Sequence, residues 1–105
     1  MLAKKFKLLR KNFVYLLKKG KRTKMNWLEF RWAQSSFPSR FGLILSRKVL
    51  AKATARNLLK RKIFDIATKY LPSSEKGLQI LVRIFKAPNN QDLIDFEKIL
   101  KDFFQ

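Results

Sequence analysis

Apolar residues recur at helical spacing near the start of the chain, at Phe6, Leu9, Phe13, Leu16 and Leu17, which predicts an amphipathic helix. Lys18 and Lys19 fall in its last turn and Gly20 is placed to stop it. Lys21, Arg22, Thr23 and Lys24 then read as a basic loop. From position 27 the period changes to two: Leu28, Phe30 and Trp32 share one face of a predicted strand and Trp27, Glu29 and Arg31 the other. Ser35, Ser36, Pro38 and Ser39 mark a turn, after which Phe41, Leu43 and Leu45 alternate with Gly42, Ile44 and Ser46 in a second strand. Helical spacing returns with Ala55, Leu59, Ile63, Ile66 and Tyr70, and Leu71, Pro72, Ser73 and Ser74 end that helix. The stretch 78–85 is apolar on both faces apart from Gln79 and Arg83, the pattern of a central strand. Pro88 closes it, Asn89 or Asn90 can cap a last helix, and Leu93, Phe96, Leu100 and Phe103 form that helix's stripe, with Asp92 suited to its first turn. The order is α-β-β-α-β-α, and the expectation is a small α+β sandwich. With 105 residues, 47% of them hydrophobic, and no repeat or linker, the chain reads as a single domain over 1–105.

Charge sharpens this picture. The 25 Lys and Arg stand against 7 Asp and Glu, a formal net charge of +18. Residues 1–62 hold 19 of the cations and one acid, Glu29, while residues 63–105 hold six of each. Such an imbalance reads as a surface for a polyanion, because each neutralised phosphate releases condensed counterions. With no Cys the chain needs no oxidising compartment, and with no apolar run near membrane-spanning length and no signal peptide it reads as soluble and cytoplasmic.

Catalytic chemistry has little to work with. There is no His and no Cys, and no glycine-rich phosphate loop. The acids Asp92, Asp95, Glu97 and Asp102 fall on one predicted helix with Lys98 and Lys101 between them, which is the pattern of a solvated face rather than a pair of metal-holding carboxylates. An active site within the protein is hard to build from these residues.

The most specific segment runs from Arg40 to Arg61, RFGLILSRKVLAKATARNLLKR. A short strand ends in Arg47 and Lys48, Lys52 follows, and a helix opens with Arg56, Asn57, Lys60 and Arg61 beside its apolar stripe. By composition alone this is either a solvated basic helix or a phosphate grip: Arg56 could fork onto a phosphate, Lys60 meet the next one, and Asn57 bond sugar or backbone. In its order Arg40, Gly42, Leu43, Ser46, Arg47, Lys48, Arg56, Asn57, Lys60, Arg61 the segment resembles the signature of the protein component of bacterial ribonuclease P. Two positions depart from it: Leu58 stands where a second arginine is usual, and Leu50 and Ala51 replace a glycine with a loop one residue longer.

That resemblance implies a left-handed strand-helix-strand crossover, against the usual rule. It further implies two partners, ribonuclease P RNA and precursor tRNA, with no DNA and no membrane. Catalysis, with Mg2+, would belong to the RNA subunit. Arg47, Lys48, Lys52, Arg56, Asn57, Lys60 and Arg61 would bind that RNA. A cleft between the first helix and the sheet would bind the single-stranded 5′ leader of the precursor through Phe13 and Phe30, with Leu17 where another aromatic is common. On spacing alone Phe13 and Phe30 are equally well read as core. Phe64 projects near Asn57, Lys60 and Arg61, either packing under the N-terminal segment or stacking on RNA. Competing readings are a ribosomal or other structural RNA-binding protein, and a basic membrane-surface protein built on Lys4, Lys5, Lys7, Arg10 and Lys11.

Overall fold

The computed structural model describes residues 7–35, 39–70 and 77–103. Phe6, Lys4, Lys5, Ser36, Pro38 and the helix-ending Leu71 to Ser74 of the sequence reading lie outside them. In chain order the elements are α1 (Arg10–Lys19), β1 (Lys21–Lys24), β2 (Leu28–Gln34), β3 (Arg40–Leu45), α2 (Ala53–Tyr70), β4 (Leu78–Ile84) and α3 (Asn90–Phe103). The class is the expected α+β, with one strand more than the pattern predicts.

The extra strand is β1. Its four side chains are all exposed, so no apolar alternation announces it. It forms because its backbone pairs antiparallel with β2, Lys21 opposite Trp32 and Lys24 opposite Glu29. The sheet order is β1-β2-β4-β3. The strand β4 is interior, as its two apolar faces require: it runs antiparallel to β2 (Leu28 opposite Ile84) and parallel to β3 (Phe41 opposite Ile80). The strands β2 and β3 therefore meet only through β4.

One face of the sheet carries α2 and α3 and holds the main core. Leu28, Phe30, Phe41, Ile80, Val82 and Ile84 from the strands close against Leu59, Ile63 and Ala67 of α2 and Phe96 and Leu100 of α3. Alternation set which strand residues point this way, and the helical stripes supplied their partners. Asn89 caps α3: its Oδ1 accepts the Asp92 N–H at 2.8 Å, and the Asp92 carboxylate accepts the Asn89 N–H at 3.0 Å, a reciprocal pair that satisfies two orphan donors. The Tyr70 hydroxyl donates to Glu97 at 3.0 Å and ties the end of α2 to α3.

The other face carries α1, through a smaller cluster of Leu8, Leu16 and Leu81 flanked by Phe13, Leu17, Ala33 and Ile44. The helix begins at Arg10, not at Phe6. Residues 7 and 8 are extended instead, because Lys7 bridges Phe41 and the Leu8 N–H donates to the Phe41 carbonyl at 3.0 Å, with Arg40 donating to the Lys7 carbonyl. Gly42 makes this docking possible. A Cβ there would lie 2.9 Å from the Phe13 ring and 3.0 Å from Leu8, closer than packed atoms approach.

Candidate nucleic-acid interface

The signature cations lie in the loop before α2 and along its first turns. After β3 the chain turns through residues 47–49, and Arg47, Lys48 and Lys52 stand exposed just ahead of α2. Asn57 and Arg61 are exposed and Lys60 half-buried one turn further on, lining with Phe64 and Asp65 a cavity of about 290 Å³. No acid occupies the first turn of α2, so the positive end of its dipole adds to these charges. Among the described residues the ion pairs are Arg22 and Arg31 with Glu29, and Lys69 with Glu97, so no signature cation is neutralised there.

Arg56 behaves differently from the expectation. It is half-buried, and its Nη1 donates to the carbonyls of both Leu50 and Ala51 at 2.8 Å. Much of this guanidinium is committed to clamping the longer loop that departs from the signature. Leu58 is 55% exposed and borders a shallow groove with Leu50, Lys62, Pro88 and Leu93.

The aromatic candidates separate. Phe30 is fully buried, stacked on Phe96 with ring centroids 5.7 Å apart and against Phe103 at 5.3 Å. It lies on the α2/α3 face, the wrong side of the sheet for a cleft under α1, and is a core residue. Phe13 is half-buried over Gly42, and Leu17 is half-buried one turn along the same side of α1. Phe64 packs edge-on against Phe41 at 5.8 Å, beneath the N-terminal segment. Lys7, Leu8, Phe13, Phe41, Gly42, Leu43 and Phe64 enclose a cavity of about 240 Å³ that shares Phe64 with the one beside Lys60.

Sequence reasoning passed over the residues beside α1 on the sheet. Glu29 is only 2% exposed, with Oε2 at 2.6 Å from Arg22 Nε and Oε1 at 2.5 Å from Arg31 Nε. Burial pushes its carboxyl up, and the Arg31 and Arg22 guanidiniums outweigh that and hold it below its ordinary value. The signal was present: Glu29 is the only acid among the first 62 residues.

The ribonuclease P family profile matches residues 2–105. The chain belongs to that family. A Xanthomonas campestris ribonuclease P protein component is 30% identical over 95 residues, covering 88% of this chain and 64% of the relative. A Picosynechococcus ribonuclease P protein component is 37% identical over 51 residues, covering 49% of this chain and 44% of the relative. The chain thus spans less than two thirds of the length of these curated relatives. A Staphylococcus aureus RNase P protein mutant superposes with a TM-score of 0.76 at 21% identity, covering 93% of this chain and 87% of that one, which establishes the shared fold. Within this ribonuclease P fold no described helix is long and apolar enough to cross a membrane, and no three His, Cys, Asp or Glu side chains among the described residues are grouped to hold a metal ion.

Proposed function

We propose that this protein is the protein subunit of a ribonuclease P holoenzyme, gripping the catalytic RNA through α2 and the loop before it and holding the 5′ leader of precursor tRNA beside α1. The observation that carries this reading is the group of exposed Arg47, Lys48, Lys52, Asn57 and Arg61 with half-buried Lys60, its cations in no ion pair among the described residues, in a member of the ribonuclease P family. Phosphates of the RNA subunit would meet Lys60 and Arg61 across the cavity they border, while Arg56 holds the loop that presents Arg47 and Lys48.

Phe13 and Leu17 would line the leader surface. An aromatic edge beside cations holds a single strand without reading its sequence, which suits a leader that differs between precursors. The chemistry of leader removal belongs in this reading to the RNA subunit and the Mg2+ it carries. The protein supplies binding and charge neutralisation in the cytoplasm, where precursor tRNA is made. The test is reconstitution: purified protein should lower the magnesium concentration at which a bacterial ribonuclease P RNA cleaves precursor tRNA, and should not cleave alone. Cleavage at the mature 5′ end by protein free of RNA, or no shift in magnesium requirement, would refute it.

A further inference from the structure

The cations on the α1 side of the sheet are arranged in two rows by strand register. Lys24, Glu29 and Arg83 lie opposite one another across β1, β2 and β4, and Arg22 and Arg31 lie opposite one another in the next row, which continues through Leu81 to Gly42. Residues opposite in register share a face, and so do those two apart on a strand. The helix α1 covers Leu81 and Gly42 with Leu8, Leu16 and Phe13, leaving the β1 side of both rows open, and Arg22, Lys24 and Arg83 are exposed.

Like charges placed opposite one another repel, so a bare cluster of this kind should splay into water. Two devices hold it. Glu29, buried at the centre, takes Arg22 Nε on one carboxylate oxygen and Arg31 Nε on the other, which fixes both guanidiniums beside it. At the rim the Phe85 ring gathers Lys24, with Nζ 5.8 Å from its centroid, and Arg83, with Cζ at 5.3 Å. Two cations are thus held by the carboxylate and two, opposite it in register, by the ring.

We propose that this face is a phosphate-binding site for single-stranded RNA, formed by Arg22, Lys24, Arg31 and Arg83 and organised by Glu29 as a positioning residue. Forked guanidiniums held in fixed orientation match a phosphodiester, and the second row leads directly to Phe13, so a strand crossing the face would have phosphates on the cations and bases toward the aromatic. The site rests on the reading that the precursor leader lies beside α1 and extends it across β2 to the edge strand. It also accounts for β1 itself: a strand with no buried side chain has Arg22 and Lys24 pinned on one face of the sheet instead of trailing in a loop.

The experiment measures binding of leader-bearing precursor and of mature tRNA to holoenzyme reconstituted with a bacterial ribonuclease P RNA, as a function of salt. Lys24→Gln with Arg83→Gln changes two exposed side chains that form no ion pair with Glu29 among the described residues, and should lower the salt slope for the leader-bearing precursor by about 1.4 log units per decade while leaving mature tRNA and RNA-subunit binding unchanged. Glu29→Gln gives the sharper result. Net charge alone says that removing a carboxylate should tighten RNA binding; the organised site requires that leader-dependent affinity fall, by about fivefold, with Glu29→Asp recovering part of it. An unchanged slope in the double variant, tighter binding by folded Glu29→Gln, or losses shared equally by mature tRNA would each overturn the site. Wild-type holoenzyme that does not distinguish leader-bearing from mature tRNA would instead overturn the leader reading, and the site with it.

Discussion

At the scale of single residues, burial decided roles that spacing left open. Phe13 and Phe30 carry the same chemistry, yet Phe30 is covered by Phe96 and Phe103 while Phe13 keeps an edge free above Gly42. Alternation along β2 told which residues share a face; which face would receive α3 depended on how a helix sixty residues later packs, and no local pattern contains that. Glu29 carries a pH consequence. Its folded pKa is depressed, so its stabilisation is complete above its ordinary value near 4.5 and is lost as pH falls below that through the folded value. Melting temperature should therefore drop on acidification below about pH 4.5, and Glu29→Gln should remove that part of the drop while costing about 1.5 to 3 kcal/mol at neutral pH, read by denaturant melts at both pH values. Leu58, half in solvent, should accept Leu58→Arg with stability changed by less than about 1 kcal/mol, its methylenes lying on the groove beside Leu93. The new guanidinium should tighten RNA-subunit binding by about 1 kcal/mol in a filter-binding assay; a mutant that unfolds would show Leu58 to be core.

At the scale of elements, helices were legible and the edge strand was not. The stripes of α2 and α3 are where periodicity put them, because an amphipathic helix declares its buried face within its own sequence. In β1 the order Lys-Arg-Thr-Lys declares nothing: the strand exists through backbone pairing and the hold of Glu29 on Arg22. The start of α1 was misplaced for a related reason, since β3 offers an edge that draws residues 7 and 8 into an extended bridge. Helical spacing placed Asn57 and Arg61 off the buried stripe, and both are exposed, but the use of Arg56 as a loop clamp was not legible, because its acceptors are backbone carbonyls invisible to side-chain patterns. The two arginine and lysine positions of α2 should then differ. Lys60→Ala should cut the salt slope of RNA-subunit binding by about 0.7 to 0.9, the share of one phosphate. Arg56→Ala should cut it by less, yet lose affinity that is non-additive with Lys48→Ala, because the loop carrying Lys48 is released. Equal slopes and strict additivity in a double-mutant cycle would place Arg56 on phosphate instead.

At the scale of the whole molecule, the net charge sits in the first 62 residues and the central strand comes after them. A chain truncated after Tyr70 lacks β4, the strand that pairs with both β2 and β3. It should show no cooperative unfolding transition by circular dichroism; a sharp transition would mean that α1, the β1–β2 hairpin and α2 hold one another without it. The position of β4 also sets an order of events during synthesis. The ribosome delivers 19 cations with their apolar neighbours before the strand that can organise them, and at about 5 to 20 residues per second the interval between Lys62 and Ile84 lasts roughly one to four seconds. During that interval the nascent chain is a polycation without its central strand beside ribosomal RNA, so folding and promiscuous RNA capture compete on the same clock, and the arrival of residues 78–84, with Arg83 their single charge, ends the contest.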